Sequence, residues 1–193
     1  VCVLIFSQAM AASAQPVNDG MVVTGVTENS PAYVADIGYG FQVITLEGQE
    51  YTTIESWQNA TINALPGESG SISYYYNGEY GNRSVVSGVV LTAVSQDYPA
   101  YDAGLRTGMI LSSLNDTTIY NDWDLKQILA STFPGQTVNV TALVYNVTSG
   151  TFMQVTGLEQ VTLDSKRQYF EDNGIPIPDD FQEMGFMGIN SAY

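Results

Sequence analysis

The sequence predicts two small α+β domains in tandem, each a partly open β-barrel with one main helix and one short helix. Three observations lead there. The stretch 90–114 recurs in worn form as 22–46. Pro31 and Pro99, Gly40 and Gly108, and Pro66 and Pro134 all keep one spacing (99 − 31 = 68), the mark of one unit used twice. Within each copy β-branched runs dominate, and a single longer helix-period stretch ends at Pro-Gly. The first domain spans 19–87 and the second 88–164, with 1–16 and 165–193 as flanks.

In the first copy, residues 21–26 are a β-branched run and hence a strand. Ser30-Pro31-Ala32 turns the chain, because proline presets φ for a turn or a first helical position. A helical turn over 32–37 follows, and Gly38 or Gly40 supplies the permissive position after it. Residues 41–46 make the second strand and Glu47-Gly48-Gln49 a tight turn. The main helix reads over 55–65, with Trp57, Ile62 and Leu65 as its inner stripe, and Pro66-Gly67 stops it. Strands 71–76 and 82–86 form a hairpin around Asn77-Gly78.

The second copy repeats the plan. Val89–Val94 is a strand, Pro99-Ala100 opens a short helix ending at Leu105, and Gly108 closes it. Residues 109–114 return as a strand and Asn115-Asp116 turns. The helix 122–132 offers Trp123, Leu125, Ile128 and Leu129 as apolar positions, with Asn121 or Asp122 as its cap. Pro134-Gly135 ends it, and strands within 137–146 and 151–163 close the domain through Ser149-Gly150.

The run Tyr98-Pro99-Ala100-x-x-Ala103-Gly104-Leu105-x-x-Gly108-Met109-Ile110-Leu111 resembles the SPAxxAGLxxGDxIxxING signature of protease-associated, circularly permuted PDZ domains. The downstream helix and Pro-Gly agree, so the resemblance covers essentially the whole repeat. Met109 replaces the usual Asp and Asn115-Asp116 the usual Asn-Gly. In the first copy Asp36-Ile37 stands for Gly-Leu, which predicts a distorted helical turn.

The resemblance implies capture of extended peptides or protein C-termini, added as a strand to a sheet edge beside the main helix. It nominates the first strand of each repeat as that edge. In the second copy these are Gly88, Val89, Val90, Leu91 and Thr92, with Leu125, Ile128 and Leu129 from the helix. In the first they are Gly20, Met21, Val22 and Val23, with Trp57, Thr61 and Leu65. Gly20 and Gly88 fall at the carboxylate-binding turn, where Asp19 would repel a chain terminus in the first copy. For the helix residues a purely core-filling role is an equal alternative.

Composition narrows the function classes. With 20 acidic against five basic residues, the net charge of −15 repels phosphate backbones, so nucleic acid is excluded as a partner. There is no histidine, which removes Ser-His-Asp and Cys-His catalysis and a HExxH zinc site. The lone cysteine, Cys2, supports neither a disulfide framework nor a metal cluster. Asp179-Asp180 and Glu171-Asp172 read as solvated turns, so no catalytic residue is nominated and no cofactor is expected in this chain.

The flanks bear on context. The apolar opening run, up to Ala12-Ser13-Ala14, reads either as the end of a secretory signal or as the last part of a transmembrane helix. Both place the domains outside the cytoplasm, anchored to a membrane or secreted. Five Asn-x-Ser/Thr sequons, at Asn59, Asn82, Asn115, Asn139 and Asn146, are compatible with that side. Residues 166–180 read as a charged linker. Gly185-Phe186-Met187-Gly188-Ile189 is similar to a Gly-aromatic-Leu-Gly-Ile segment that follows the PDZ domain in site-2-type intramembrane zinc proteases. It also reads as an edge strand completing the second domain, or as the carboxylate loop of a third one. The expectation is a non-catalytic tandem PDZ region serving a membrane-bound site-2-type protease, any zinc being held elsewhere in that protein. The alternatives are a secreted scaffold or adhesion protein, or the PDZ region of an HtrA-type or C-terminal processing serine protease. Oligomeric state is not legible.

Overall fold

The computed structural model describes residues 6–7, 21–51, 53–156, 158 and 160–192. They form two open, antiparallel sheets, each with its own helices and core. In the first unit the strands are β1 (Phe6–Ser7), β2 (Met21–Val23), β3 (Gln42–Leu46), β4 (Gln49–Glu50), β5 (Ser69–Tyr76) and β6 (Glu79–Val86). Helices α1 (Pro31–Val34) and α2 (Ile54–Thr61) complete it. The sheet order is β1-β2-β3-β5-β6, with β4 on β3.

The second unit opens with β7 (Val89–Val94), α3 (Pro99–Asp102), β8 (Ile110–Leu114), β9 (Thr117–Thr118) and α4 (Asp122–Ala130). It continues through β10 (Thr137–Val138), β11 (Val140–Asn146), β12 (Thr151–Gln154), β13 (Val161–Thr162) and β14 (Asp164–Ser165). Helix α5 (Lys166–Asp172), β15 (Gly185–Phe186) and β16 (Ile189–Ala192) end it. Its sheet order is β12-β11-β8-β7-β16 with β9 on β8, flanked by the small ladders β10–β13 and β14–β15. The strand outside β2 thus comes from the start of the chain, and the equivalent strand outside β7 comes from its end.

Local chemistry explains the helices. Thr53 and Ser56 build a reciprocal capping box for α2. Asn121 accepts from the Asp124 N–H at 3.0 Å to start α4. The distortion expected in the first copy does not occur. Asp36 takes the left-handed conformation (φ 56°) that Gly104 takes in the second (φ 97°). The same bond then closes both turns, Ile37 N–H to Ala32 O and Leu105 N–H to Ala100 O, each 2.9 Å.

Two stripes differ from expectation. Ile62 and Leu65 stand outward, leaving Trp57 and Thr61 as the buried face of α2. Trp123 also points to solvent, at 65% exposure, while Leu125 enters the core. Helix α2 is shorter than read and ends at Thr61, so Ile62 and Leu65 fall beyond its last helical residue, whereas Trp123 lies in the first turn of α4 on its outer face. The second core is the better filled, with Leu91, Leu105, Leu111, Leu114, Leu158 and Leu163 almost wholly buried. Burial of each such side chain contributes about 1.5–3 kcal/mol.

The segment read as a linker contains α5, which packs on the strand edge through aromatic rings. Phe186 lies 4.3 Å from Tyr169 and 5.2 Å from Tyr98, centroid to centroid. No helix among the described residues is long and apolar enough to cross a membrane. Of the apolar opening run, Phe6 and Ser7 pair antiparallel with Val23 and Val22. The rest of 1–16, where the signal or anchor reading falls, lies outside the described residues.

Candidate functional site

The strands nominated as edges lie inside their sheets. β7 is paired by β8 on one side and β16 on the other, and Val89, Val90 and Leu91 are fully buried. Thr92 sits at a register shift opposite Asn190 and Ser191, partly exposed. Gly88 precedes β7 in an extended positive-φ conformation (139°) that a side chain would disfavour. Likewise β2, with Met21, Val22 and Val23, lies between β1 and β3. Neither strand is the free edge the sequence nominated, because a further strand is laid outside each. Gly20 and Asp19 fall outside the described residues.

Among the described residues β16 is one outer edge of the second sheet, β12 being the other. Its pairing can be followed group by group. Ser95 N–H donates to Gly188 O at 2.9 Å, and the ladder alternates, so the backbone groups of Ile189 face away from β7. Leu91 turns its own N–H to Met109 O and its carbonyl to Gly108 N–H, toward β8. Its partner across the β16 ladder, Ser191, therefore also presents N–H and C=O outward. Two residues spaced by two on one outer edge are the spacing an added strand needs.

A turn sets the start of this edge. Gly188 has φ 78°, and a methyl there would overlap Tyr98 Cβ, so only glycine fits. Met187 is buried, and its carbonyl accepts from Ala100 N–H at 3.0 Å. Among the described residues no acceptor takes the N–H of Met187 or Gly188. Successive free amides at such a turn form a concavity suited to an anion.

Helix α4 runs beside the same segment. At its start, Ser191 Oγ donates to the Asp122 carboxylate, which also pairs with Lys126. At its far end, Gly185 N–H donates to Thr132 O at 3.4 Å. Leu125 is buried on the core side, and Ile128 and Leu129 are half-buried. Of the predicted helix residues, these three belong with Ile189 to one apolar cluster, Leu125 in its core and the others packed against it.

Lys166, at the start of α5, stands 4.4 Å over the Phe186 ring, with Tyr169 and Phe170 also near. Burial pushes its ammonium below the ordinary lysine value. Arg167 pairs with Glu183 at 3.4 Å, tying α5 to the strand approach.

In the first unit, Trp57 and Thr61 line a pocket of about 340 Å³ between α2 and the sheet. Its origin is visible by comparison of the copies. Ala60, Gly70 and Ser87 stand where the second unit has Ile128, Val138 and Leu163, the last matched by the shared bonds to Gly67 and Gly135. Glu47 and Glu68 lie at its margin. Among the described residues no group of three or more His, Cys, Asp or Glu side chains could hold a metal ion.

Sequence reasoning missed Met187, Gly188, Ile189 and Ser191 as edge residues. The signal was the Gly185–Ile189 motif itself, for which completion of the second domain was one of the readings. Residues 80–148 match the family model of the PDZ domain. That stretch runs from β6 to the turn after β11 and stops short of β16. The two sheet-and-helix units are consistent with tandem PDZ-like folds. No curated protein matches the chain.

Proposed function

We propose that the second unit captures extended peptides by adding them to β16 beside α4, with a free C-terminus seated at the amides of Met187 and Gly188. PDZ-domain architecture supports a peptide-binding role. The observation that carries the reading is the outward pair Ile189 and Ser191, on an edge that no strand of the described residues pairs, next to a helix. Leu125, Ile128 and Leu129 favour an apolar terminal side chain. The first-strand residues Gly88, Val89, Val90, Leu91 and Thr92 act beneath this edge, as the layer that holds it.

In the finer form of the proposal, the chain is the non-catalytic tandem region that filters or positions substrates for a membrane-bound protease of the site-2 type. The resemblance of the 98–111 signature and of the 185–189 segment supports this form. The chain itself offers no histidine and one cysteine, so its own work is binding.

The test is titration with a library of peptides ending in apolar residues. Dissociation constants near the micromolar scale are expected, since a small groove has few anchors. Ser191→Pro removes an outward N–H without breaking the β7 ladder and should abolish binding, whereas Ser191→Ala should retain it. Equal binding by both variants, or none by the parent chain, overturns the proposal.

A further inference from the structure

At the opposite edge of the second sheet from β16, strand β12 carries neither charge nor proline. Among the described residues it pairs with β11 alone. Val155 N–H donates to Ala142 O at 2.8 Å and the ladder alternates from there, so Phe152 and Gln154 turn their N–H and C=O outward. Thr151, Met153 and Gln154 are exposed. Natural sheets guard such an edge with charges, proline or a covering element. An outer strand of the first sheet, β6, follows that rule with Glu79 and Arg83. β12 does not. Charged residues make up 13% of the chain, yet none occurs from 127 to 158.

Apolar side chains gather on the same hairpin. Met153 lies directly opposite Val144, both exposed, and Val147 stands 84% exposed at the tip. The Met153 side chain is already held, its sulfur accepting from Asn146 Nδ2 at 3.4 Å and from Ser149 Oγ at 3.6 Å. Ordering it against a partner therefore costs little further entropy.

Charge and symmetry say what covers this edge. At a net charge of −15, two copies repel wherever their acidic faces meet, and approach at least cost through a neutral surface. The outward groups of Phe152 and Gln154 are symmetric about Met153. A two-fold axis there pairs each Phe152 with the Gln154 of the other copy and satisfies the outward groups of both. It also sets Met153 against its own copy in a non-hydrogen-bonded pair, with Cα atoms about 4.5 Å apart.

We propose that the chain self-associates into a two-fold dimer by antiparallel pairing of β12 with β12 of a second copy, centred on Met153. The two second-unit sheets then join into one, with a β16 edge at each end. The dimer is independent of peptide capture at β16, and presents two such edges in one assembly.

Light scattering and sedimentation of the full chain test it. A monomer–dimer equilibrium is expected whose dissociation constant falls at least ~3-fold between about 0.1 and 1 M sodium chloride, as the screening length drops from about 10 Å to about 3 Å. Gln154→Pro removes an outward N–H without touching the β11 ladder and should weaken the dimer at least ~10-fold, while Gln154→Ala keeps it. In the Cys2→Ser background, Met153→Cys should form a disulfide between copies on oxidation with diamide, because the paired Cβ atoms fall within bridging range. Val147→Cys, exposed but off the axis, should not. A chain that stays monomeric in high salt overturns the inference. So does a dimer indifferent to Gln154→Pro, equal cross-linking from positions 147 and 153, or a foreign strand on β12 while the chain itself stays monomeric.

Discussion

The Ser191 hydroxyl on β16 donates to the Asp122 carboxylate at the first turn of α4, tying the outer strand to the helix beside it. Under the proposed capture beside α4, an added strand has to displace this bond, which would then act as a latch. Ser191→Ala should lower stability by about 1 kcal/mol in urea unfolding. The same variant should bind peptides up to ~5-fold more tightly by calorimetry, because no latch has to open. Weaker binding by Ser191→Ala would show that the hydroxyl contacts the peptide instead.

Gly188 is the most constrained position of the edge. Gly188→Ala combines a positive φ with overlap on Tyr98, and should cost about 2 kcal/mol. Peptide affinity should fall at least ~10-fold as the turn amides shift. Urea unfolding and titration on the same sample check both. An unchanged affinity would place the terminus-binding group elsewhere.

The pocket below α2 marks a stability deficit in the first unit. Gly70 is not in a positive-φ conformation, and a Cβ there meets only Glu47 and Leu46 side chains and the Val85 carbonyl at ordinary or slightly tight range. Gly70→Val, copying Val138, should raise unfolding free energy by about 1 kcal/mol through burial and strand preference. A fall in the urea midpoint would mean that Glu47 cannot move aside.

Lys166 gives the chain an alkaline signature. Its folded value is lowered by desolvation, so between that value and the ordinary 10.5 the unfolded chain binds the extra proton. The Lys166 contribution to stability therefore rises with pH across that window and is least favourable below it. Lys166→Met should remove this rise. The difference in unfolding free energy between parent and variant, followed from pH 8 upward (about two units below the ordinary lysine value), isolates it from tyrosine titration. A difference flat with pH would contradict the burial of the ammonium.

The repeat was legible because its Pro and Gly positions have backbone duties that survive divergence. Gly108 and Gly40, with φ 88° and 85°, are such a pair. Asp36 shows the limit: reading it as a lost glycine overlooked that aspartate tolerates the left-handed region. Helix stripes were less legible, since Ile62 and Leu65 suit the apolar face of α2 only if that helix runs past Thr61, and Trp123 and Leu125 both read as apolar positions of α4. The free edge was misplaced for a topological reason. Val89–Val94 has the strongest strand pattern in the second unit, but sheet order is not chain order, and a strand near the chain end lies outside it. The apolar Met187 and the turn at Gly188 were in view as a motif, while their register against Val94 was not.

Backbone amide shifts during titration with an apolar C-terminal peptide test peptide capture at β16 most directly. The amides of Met187, Gly188, Ile189 and Ser191 should move first and most, together with those of α4 around Leu125 and Leu129, while Val89, Val90 and Leu91 stay nearly still. Large shifts confined to β12 or to β7, with 187–191 unmoved at saturation, would contradict capture at this edge.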